Sequence, residues 1–334
     1  YDIADYLRIA PRYGSNDDLG ALCAEAGERG IAVLLDLVAG HTSDEHPWFV
    51  AASQPGAAPP VRDRYVWSDV PRDGWHAAPG AGSGYYLPNF FPCQPALNFG
   101  YARPRADEPW RQQPDAPGPL ANREALRQVM AHWFDLGVGG FRVDMAASLV
   151  KDDPGFVETG RLWRDMRAWI DRRYPGRILV AEWGDPRVSV PAGFHADFLL
   201  QFGGPTDGLP LRSLWNNGTG TVDPAWGQEW CWADAGARGQ TATFAAAWRE
   251  AAAAIAAVDG QGRYGRTGVV GLPTSNHDFT RLVAGPRDAH QARAAMALVL
   301  TWPTMPSIYY GGEIGMRYGP GAAATDGSAA GRPP

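Results

Sequence analysis

The chain has 334 residues, a net charge of −6 and an ordinary globular composition, with 45% hydrophobic and 20% charged residues. The negative charge argues against nucleic acid or an anionic membrane as a partner, and the longest apolar runs are too short to span a bilayer. Three cysteines form no disulfide framework, which favours a cytoplasmic location, but the sequence fixes neither the compartment nor the oligomeric state.

Six apolar segments alternate with helical patterns along the chain. A helix is predicted before the first segment, with Ser15 or Asn16 as its N-cap and Gly30 at its end. Repeated strand–helix units indicate a parallel sheet. The predicted strands cover residues 31–38, 140–145, 177–183, 194–202, 268–278 and 305–313.

Residues 42–120 interrupt this alternation of strands and helices, because they are rich in Pro, Gly, Trp and Tyr and carry no helical period. We predict that they form an irregular subdomain inserted after the first visible strand. Residues 1–41 and 121–316 then form the α/β domain that carries the predicted strands. Residues 317–334 lack apolar periodicity, and they are predicted to be a loop or a disordered tail.

Polar side chains collect at the C-terminal ends of the predicted strands. In a (β/α)8 barrel, the active site lies at that rim. Acidic and imidazole groups from four strands on one rim are hard to attribute to packing. The residues concerned are Asp36, His41, Arg142, Asp144, Glu182, Asn276, His277 and Asp278.

Two of these carboxylates have different surroundings. Arg142 precedes Asp144 by two residues, so both point to the same face of a strand, and the guanidinium is expected to keep the pKa of Asp144 low. Glu182 lies in the apolar segment VAEW, where a raised pKa would leave it able to donate a proton. A carboxylate nucleophile beside a carboxylic acid suits the cleavage of glycosidic bonds.

Other interpretations of the same residues stay open. The charged pair in GFRVD could be a buried ion pair that only stabilises the strand. Asp278 could cap a helix rather than hold sugar hydroxyls, and His41 and His277 could be satisfied core histidines. A metal site that includes Asp36 and both histidines has no closely spaced ligand motif to support it.

Taken in order, the motifs resemble those of the alpha-amylase superfamily of glycoside hydrolases, family thirteen. The resemblance implies a (β/α)8 TIM barrel with residues 42–120 inserted after barrel strand 3. It also implies that the first two barrel strands precede Tyr1 and that a C-terminal β-domain follows Pro334. The matching segments are DLVAGH (36–41), QPALN (94–98), GFRVD (140–144), VAEW (180–183), SNHD (275–278) and YYGGEIGM (309–316).

The resemblance implies a retaining hydrolase or transglycosylase that acts on α-linked glucosides, of the α-glucosidase or α-amylase type. Asp144 would be the nucleophile that forms a covalent glycosyl-enzyme, Glu182 the general acid and base, and Asp278 the stabiliser of the transition state. Arg142 would orient Asp144. The residues implied to contact the sugar are Tyr1, His41 and His277.

The sequence also departs from the family pattern. Gly40 stands where many relatives carry an asparagine that ligates a structural calcium ion, so we expect no metal or other cofactor. Ala147 and Ser148 replace a Lys-His pair that many amylases use to grip the sugar on the leaving side. The expected partner is an α-glucoside or oligosaccharide. The alternative is a catalytically silent homologue that binds a carbohydrate or a protein, which the three retained carboxylates disfavour.

Overall fold

The computed structural model describes residues 1–80, 82–199, 241–259, 268–277, 281–284 and 287–317. The chain divides into two compact units. Unit 1 contains residues 1–182 and 192–194, and unit 2 contains residues 183–191 and the chain from residue 195 onward.

All six predicted strands are found among the described residues. Described residues at the predicted strand ends, among them 31–33 and 182–183, lie outside the ladder. In chain order, the described elements are α1 (Asn16–Glu28), β1 (Leu34–Val38), α2 (Pro47–Ala52), α3 (Pro59–Arg62), β2 (Trp67–Ser68), β3 (His76–Ala77), β4 (Tyr85–Tyr86), α4 (Pro117–Asp135), β5 (Gly140–Asp144), α5 (Val157–Arg173), β6 (Ile178–Ala181), α6 (Pro186–Ser189), β7 (Ala196–Phe198), α7 (Thr241–Asp259), β8 (Val269–Pro273), α8 (Ala289–Thr301) and β9 (Met305–Ser307).

Unit 1 contains the parallel strands β1, β5 and β6, in that order. Asp36 of β1 pairs with Arg142 of β5, and Val38 pairs with Asp144. Because side chains alternate along a strand, the three charged residues lie on one face of the sheet. Val143, the residue between Arg142 and Asp144 on β5, is buried on the opposite face.

The predicted caps of α1 are found in the structure. Ser15 is the N-cap, and its side chain accepts a hydrogen bond from the backbone of Asp18 in a capping box. Beyond the helix end, Gly30 has a φ of 72°, a left-handed conformation that suits glycine. The backbone N–H groups of Gly30 and Ile31 donate to Gly27 and Ala26, which satisfies two helix-end carbonyls.

The insert has more regular structure than the sequence predicts. It contains the short helices α2 and α3 and a small antiparallel sheet in the order β2, β4, β3. Phe49 stacks on Trp67 at 5.7 Å and meets Tyr65 and Tyr86 edge-on, so the aromatic residues form a core of their own. The boundaries of the insert at residues 42 and 120 stay a prediction.

Unit 2 contains the parallel strands β7, β8 and β9, in that order, with α7 and α8 between them in sequence. Apolar side chains of the helices and strands form its core, including Phe244, Leu272 and Val299. Asp197 of β7 is fully buried and accepts hydrogen bonds from the backbone N–H groups of residues 183–185 and from the Ser189 hydroxyl. Burial raises the pKa of Asp197 to about 7, although these hydrogen bonds oppose the shift.

Several predicted features lie outside the described residues: Asp278, the end of the strand predicted over 194–202, and the tail beyond residue 317. Within the described part of the chain, no helix is both long and apolar enough to cross a membrane.

Candidate active site

Strand β5 presents an arginine and a carboxylate that are directly hydrogen-bonded. Arg142 Nη1 donates to Asp144 Oδ1 at 2.9 Å and to Asp36 Oδ1 at 2.7 Å. The side chains of Arg142 and Asp144 are mostly buried, whereas that of Asp36 is 41% exposed. The predicted pairing of Arg142 with Asp144 is therefore confirmed in geometry, and Asp36 joins it.

Glu182 follows β6 directly and contacts the same guanidinium. Its Oε1 lies 2.5 Å from Arg142 Nη2, and only 5% of its side chain is exposed. Burial alone would lower the pKa of Arg142, but Glu182, Asp36 and Asp144 together raise it well above its ordinary value. Arg142 is thus permanently charged and links three carboxylates from three neighbouring strands.

The residue after Asp144 takes an unusual backbone conformation. Met145 has φ 42° and ψ 46°, in the left-handed region that non-glycine residues rarely adopt. In this conformation its backbone N–H donates to Glu182 Oε2 at 3.1 Å. Such backbone strain is concentrated at functional sites. Both oxygens of Glu182 are therefore held by donors, one from a side chain and one from a strained backbone.

His41 is buried at the edge of this cluster. Its Nε2 lies 3.1 Å from the backbone oxygen of Tyr1, and its Nδ1 lies 3.0 Å from Asn89 Nδ2. Burial lowers the pKa of His41, although Asp144 and the contact with Tyr1 oppose the shift. Both ring nitrogens thus contact protein atoms, and the implied contact of His41 with the sugar stays a prediction.

The other residues implied to contact the sugar are less fully placed. The Tyr1 ring lies 5.9 Å from the Arg142 guanidinium carbon, so it lines the same cluster. His277 belongs to unit 2 and follows the end of β8, where it is half-buried. Asp278 lies outside the described residues. The structure therefore brings together Tyr1, His41, Arg142, Asp144 and Glu182 within unit 1.

Two residues of the cluster carry no recognisable sequence signal. Asn89 lies in the irregular insert, where no periodicity indicates which side chain points to the barrel rim. The left-handed backbone of Met145 cannot be read from sequence, because glycine is the usual residue in that conformation. Asp36 had a signal, since it is an acidic residue in an apolar strand segment.

No group of three or more His, Cys, Asp or Glu side chains suits a metal ion among the residues that the structure describes. Gly40, at the position of the calcium ligand in many relatives, has ordinary space around it. A Cβ built there would lie 3.6 Å from Asn89 Nδ2 and 3.9 Å from the side chains of Leu149 and Ser148. The expectation of calcium independence stays a prediction.

Known proteins are similar to this chain in sequence and fold. The model of the alpha-amylase catalytic domain matches residues 1–190. The chain is 29% identical to alpha-amylase 3 of Dictyoglomus thermophilum over 95% of its own length and 54% of the relative. It is 36% identical to a trehalose synthase of a Pimelobacter species over 54% of its own length and 31% of the relative.

Among solved structures, the alpha-amylase from H. orenii superimposes with a TM-score of 0.65 at 27% identity, over 95% of this chain and 57% of that one. The chain thus spans about half the length of the relatives that it matches throughout.

The chain belongs to the alpha-amylase family, as its motifs predicted. The predicted fold class is confirmed as well: the parallel strands and their helices form an incomplete (β/α)8 barrel, the fold of these relatives.

Proposed function

We propose that the protein is a retaining glycosidase or transglycosylase that acts on α-linked glucosides through a covalent glycosyl-enzyme. The observation that carries this proposal is the single guanidinium of Arg142 bound to both Asp144 and Glu182. One charge partner shared by two carboxylates keeps both within reach of one glycosidic bond, as a double-displacement mechanism requires.

In the first step, Asp144 attacks the anomeric carbon while Glu182 protonates the departing oxygen. Asp36, Asp144 and Glu182 surround one guanidinium, so when all three are ionised the cluster carries a net negative charge. A negative cluster stabilises the positive charge that develops on the sugar ring in the transition state. Protonation of Glu182 for its acid role still leaves the negative charges on Asp144 and Asp36.

In the second step, the shared arginine helps Glu182 to change its role. Once Asp144 is esterified, it no longer carries a negative charge, and Arg142 interacts more strongly with Glu182. The ionised form of Glu182 is then favoured, as needed for a base that activates water or a sugar acceptor. The same arrangement therefore supports hydrolysis and transfer.

The family relationship supports this class of reaction, because the relatives carry the names alpha-amylase and trehalose synthase. We infer an α-glucoside or oligosaccharide as substrate, and the segment QPALN favours short oligosaccharides. The alternative is a silent homologue that only binds a carbohydrate or a protein.

One experiment separates these functions. The protein is incubated with maltose, isomaltose, sucrose, trehalose and starch, and the first products are followed by proton NMR before mutarotation. We expect turnover of at least one α-glucoside with release of α-glucose or an α-linked transfer product. Asp144→Asn and Glu182→Gln should each lower turnover by about 10³-fold or more.

Asp171→Asn is the matched control, because it neutralises a partly exposed carboxylate that pairs with Arg167 on α5. Its activity should equal that of the wild type. Binding without turnover of any of these sugars would establish the silent homologue instead. Initial release of β-glucose would exclude the retaining mechanism.

A further inference from the structure

Residues 88–95 of the insert form a closed loop that contacts His41 and Asp2 through two side chains. The loop is fixed by its own backbone, because the N–H of Asn89 donates to Gln94 O at 2.7 Å and that of Gln94 to Phe91 O at 2.9 Å. Asn89 Nδ2 contacts His41 Nδ1 at 3.0 Å. Gln94 Nε2 donates to Asp2 Oδ1 at 2.5 Å.

The partners of His41 determine which ring nitrogen carries its proton. A backbone oxygen can only accept a hydrogen bond, so the contact with Tyr1 requires a proton on Nε2. The amide nitrogen of Asn89 can only donate, so Nδ1 must be the acceptor. Together the two contacts fit the neutral Nε2–H tautomer.

The reverse orientation of the Asn89 amide is inconsistent with the site. It would place the amide oxygen against Nδ1 and require protons on both nitrogens of His41. The carboxylates of Asp144 and Asp2 act on the ring and favour the cation. Burial is the largest effect, and it disfavours the cation.

Two separate contacts of this loop therefore converge on the first residues of the chain. One runs from Asn89 through His41 to the backbone of Tyr1, and the other runs from Gln94 to Asp2. The Tyr1 ring itself faces the guanidinium of Arg142.

We propose that Asn89 is a positioning residue: it fixes His41 as the neutral Nε2–H tautomer and, through His41 and together with Gln94, holds the Tyr1 ring at the active site. The contact of Nε2 with the Tyr1 oxygen and the contact of Nδ1 with Asn89 carry the tautomer assignment, and the burial of the ring supports it. The consequence for substrate rests on the proposed function, in which Tyr1 stacks against the sugar.

The tautomer is tested by NMR on protein labelled with ¹⁵N in its histidine rings, with His41 assigned by its loss in His41→Gln. At pH 7.5 we expect Nε2 to be protonated and Nδ1 to be unprotonated in the wild type. In Asn89→Asp, a carboxylate replaces the donor, so Nδ1 should gain a proton at the same pH. A wild-type ring protonated on Nδ1, or an Asn89→Asp ring unchanged from the wild type, overturns the proposal.

The positioning role is tested by steady-state kinetics with a 4-nitrophenyl α-glucoside. Asn89→Leu and Gln94→Leu keep the approximate shape of each side chain but remove its donor. We expect each variant to raise KM by about 5–10-fold and to change kcat by less than about threefold. The stacking of Tyr1 on the sugar is weakened, whereas the nucleophile Asp144 and the acid–base Glu182 are unchanged. Gln54→Leu is the control, since the exposed side chain of Gln54 donates to Val50 O. The KM of this variant should equal that of the wild type.

Tyr1→Ala separates failure of this inference from failure of the proposed function. If Tyr1→Ala raises KM and the Asn89 and Gln94 variants do not, the positioning role is wrong. If Tyr1→Ala has no effect on KM, the proposed stacking of Tyr1 on substrate is wrong, whereas the ¹⁵N result still decides the tautomer.

Discussion

Arg142 Nη1 donates a hydrogen bond of 2.9 Å to Asp144 Oδ1, and the same guanidinium contacts Asp36 and Glu182. A single planar cation thus organises carboxylates from three strands. A lysine cannot reproduce this arrangement, because its ammonium group is a compact charge without the flat fork of donors.

Arg142→Lys is therefore expected to lower kcat/KM by roughly 100-fold, equivalent to about 2.7 kcal/mol of transition-state stabilisation. The measurement is steady-state turnover of an α-glucoside. Arg161→Lys is the control, because Arg161 also contacts two carboxylates, Asp115 and Glu158, but lies outside the site. Equal activity of the two variants would show that the shared guanidinium has no catalytic role.

Met145 provides a test of backbone strain. A β-branched residue tolerates the left-handed conformation poorly, whereas asparagine tolerates it well. We expect Met145→Val to lower stability by about 1–2 kcal/mol and to lower kcat, because the N–H that contacts Glu182 is displaced. Met145→Asn should keep kcat near the wild-type value. Denaturant unfolding and turnover measure both effects, and the same kcat in the two variants would contradict the role given to the backbone.

Because of the buried side chain of His46, we expect unit 1 to lose stability in acid. Burial lowers the pKa of His46 from 6.5 to about 4, with a smaller contribution of the same sign from Arg64 and an opposing one from Asp5. A depressed pKa in the folded state gives stability that is present above pH 6.5 and is lost as the pH falls toward 4. The wild type should therefore lose more unfolding free energy between pH 7.5 and 4.5 than His46→Asn.

Asparagine is the informative substitution because His46 is the N-cap of α2 and accepts from the N–H of Trp48 at 3.0 Å. Asparagine can make the same cap without titrating. Identical losses in both proteins would mean that His46 does not contribute to acid unfolding.

Removal of calcium tests whether the protein, which has Gly40 in place of an asparagine, works without this ion. Calcium prefers six to eight oxygen ligands, and glycine offers no side-chain oxygen at the position that ligates the ion in many relatives. We expect turnover to be unchanged after chelation and dialysis. Gly40→Asn tests whether the ligand alone creates dependence, since a Cβ fits there at ordinary contact distances. Loss of wild-type activity on chelation, with recovery on addition of calcium, would show that another calcium site is needed.

The parts of the site that could be predicted from sequence are those encoded by strand periodicity. Arg142 and Asp144 are two residues apart on β5, so alternation places both on one face, and the order of parallel strands brings Glu182 beside them. Asn89 could not be predicted, because its position depends on how an aperiodic insert folds back to the rim. The buried hydrogen-bonding pattern of Asp197 depends on a turn that its own strand sequence does not specify.

The role of Asp144 as nucleophile is tested most directly by trapping the glycosyl-enzyme. The protein is treated with 5-fluoro-α-glucosyl fluoride, whose slow deglycosylation accumulates the covalent intermediate, and is then digested and examined by mass spectrometry. We predict a single fluoroglucosyl ester on the peptide that contains Asp144, and no label in Asp144→Asn. An ester on Glu182 or Asp36, or continued turnover of α-glucosides by Asp144→Asn at the wild-type rate, would contradict the proposed mechanism.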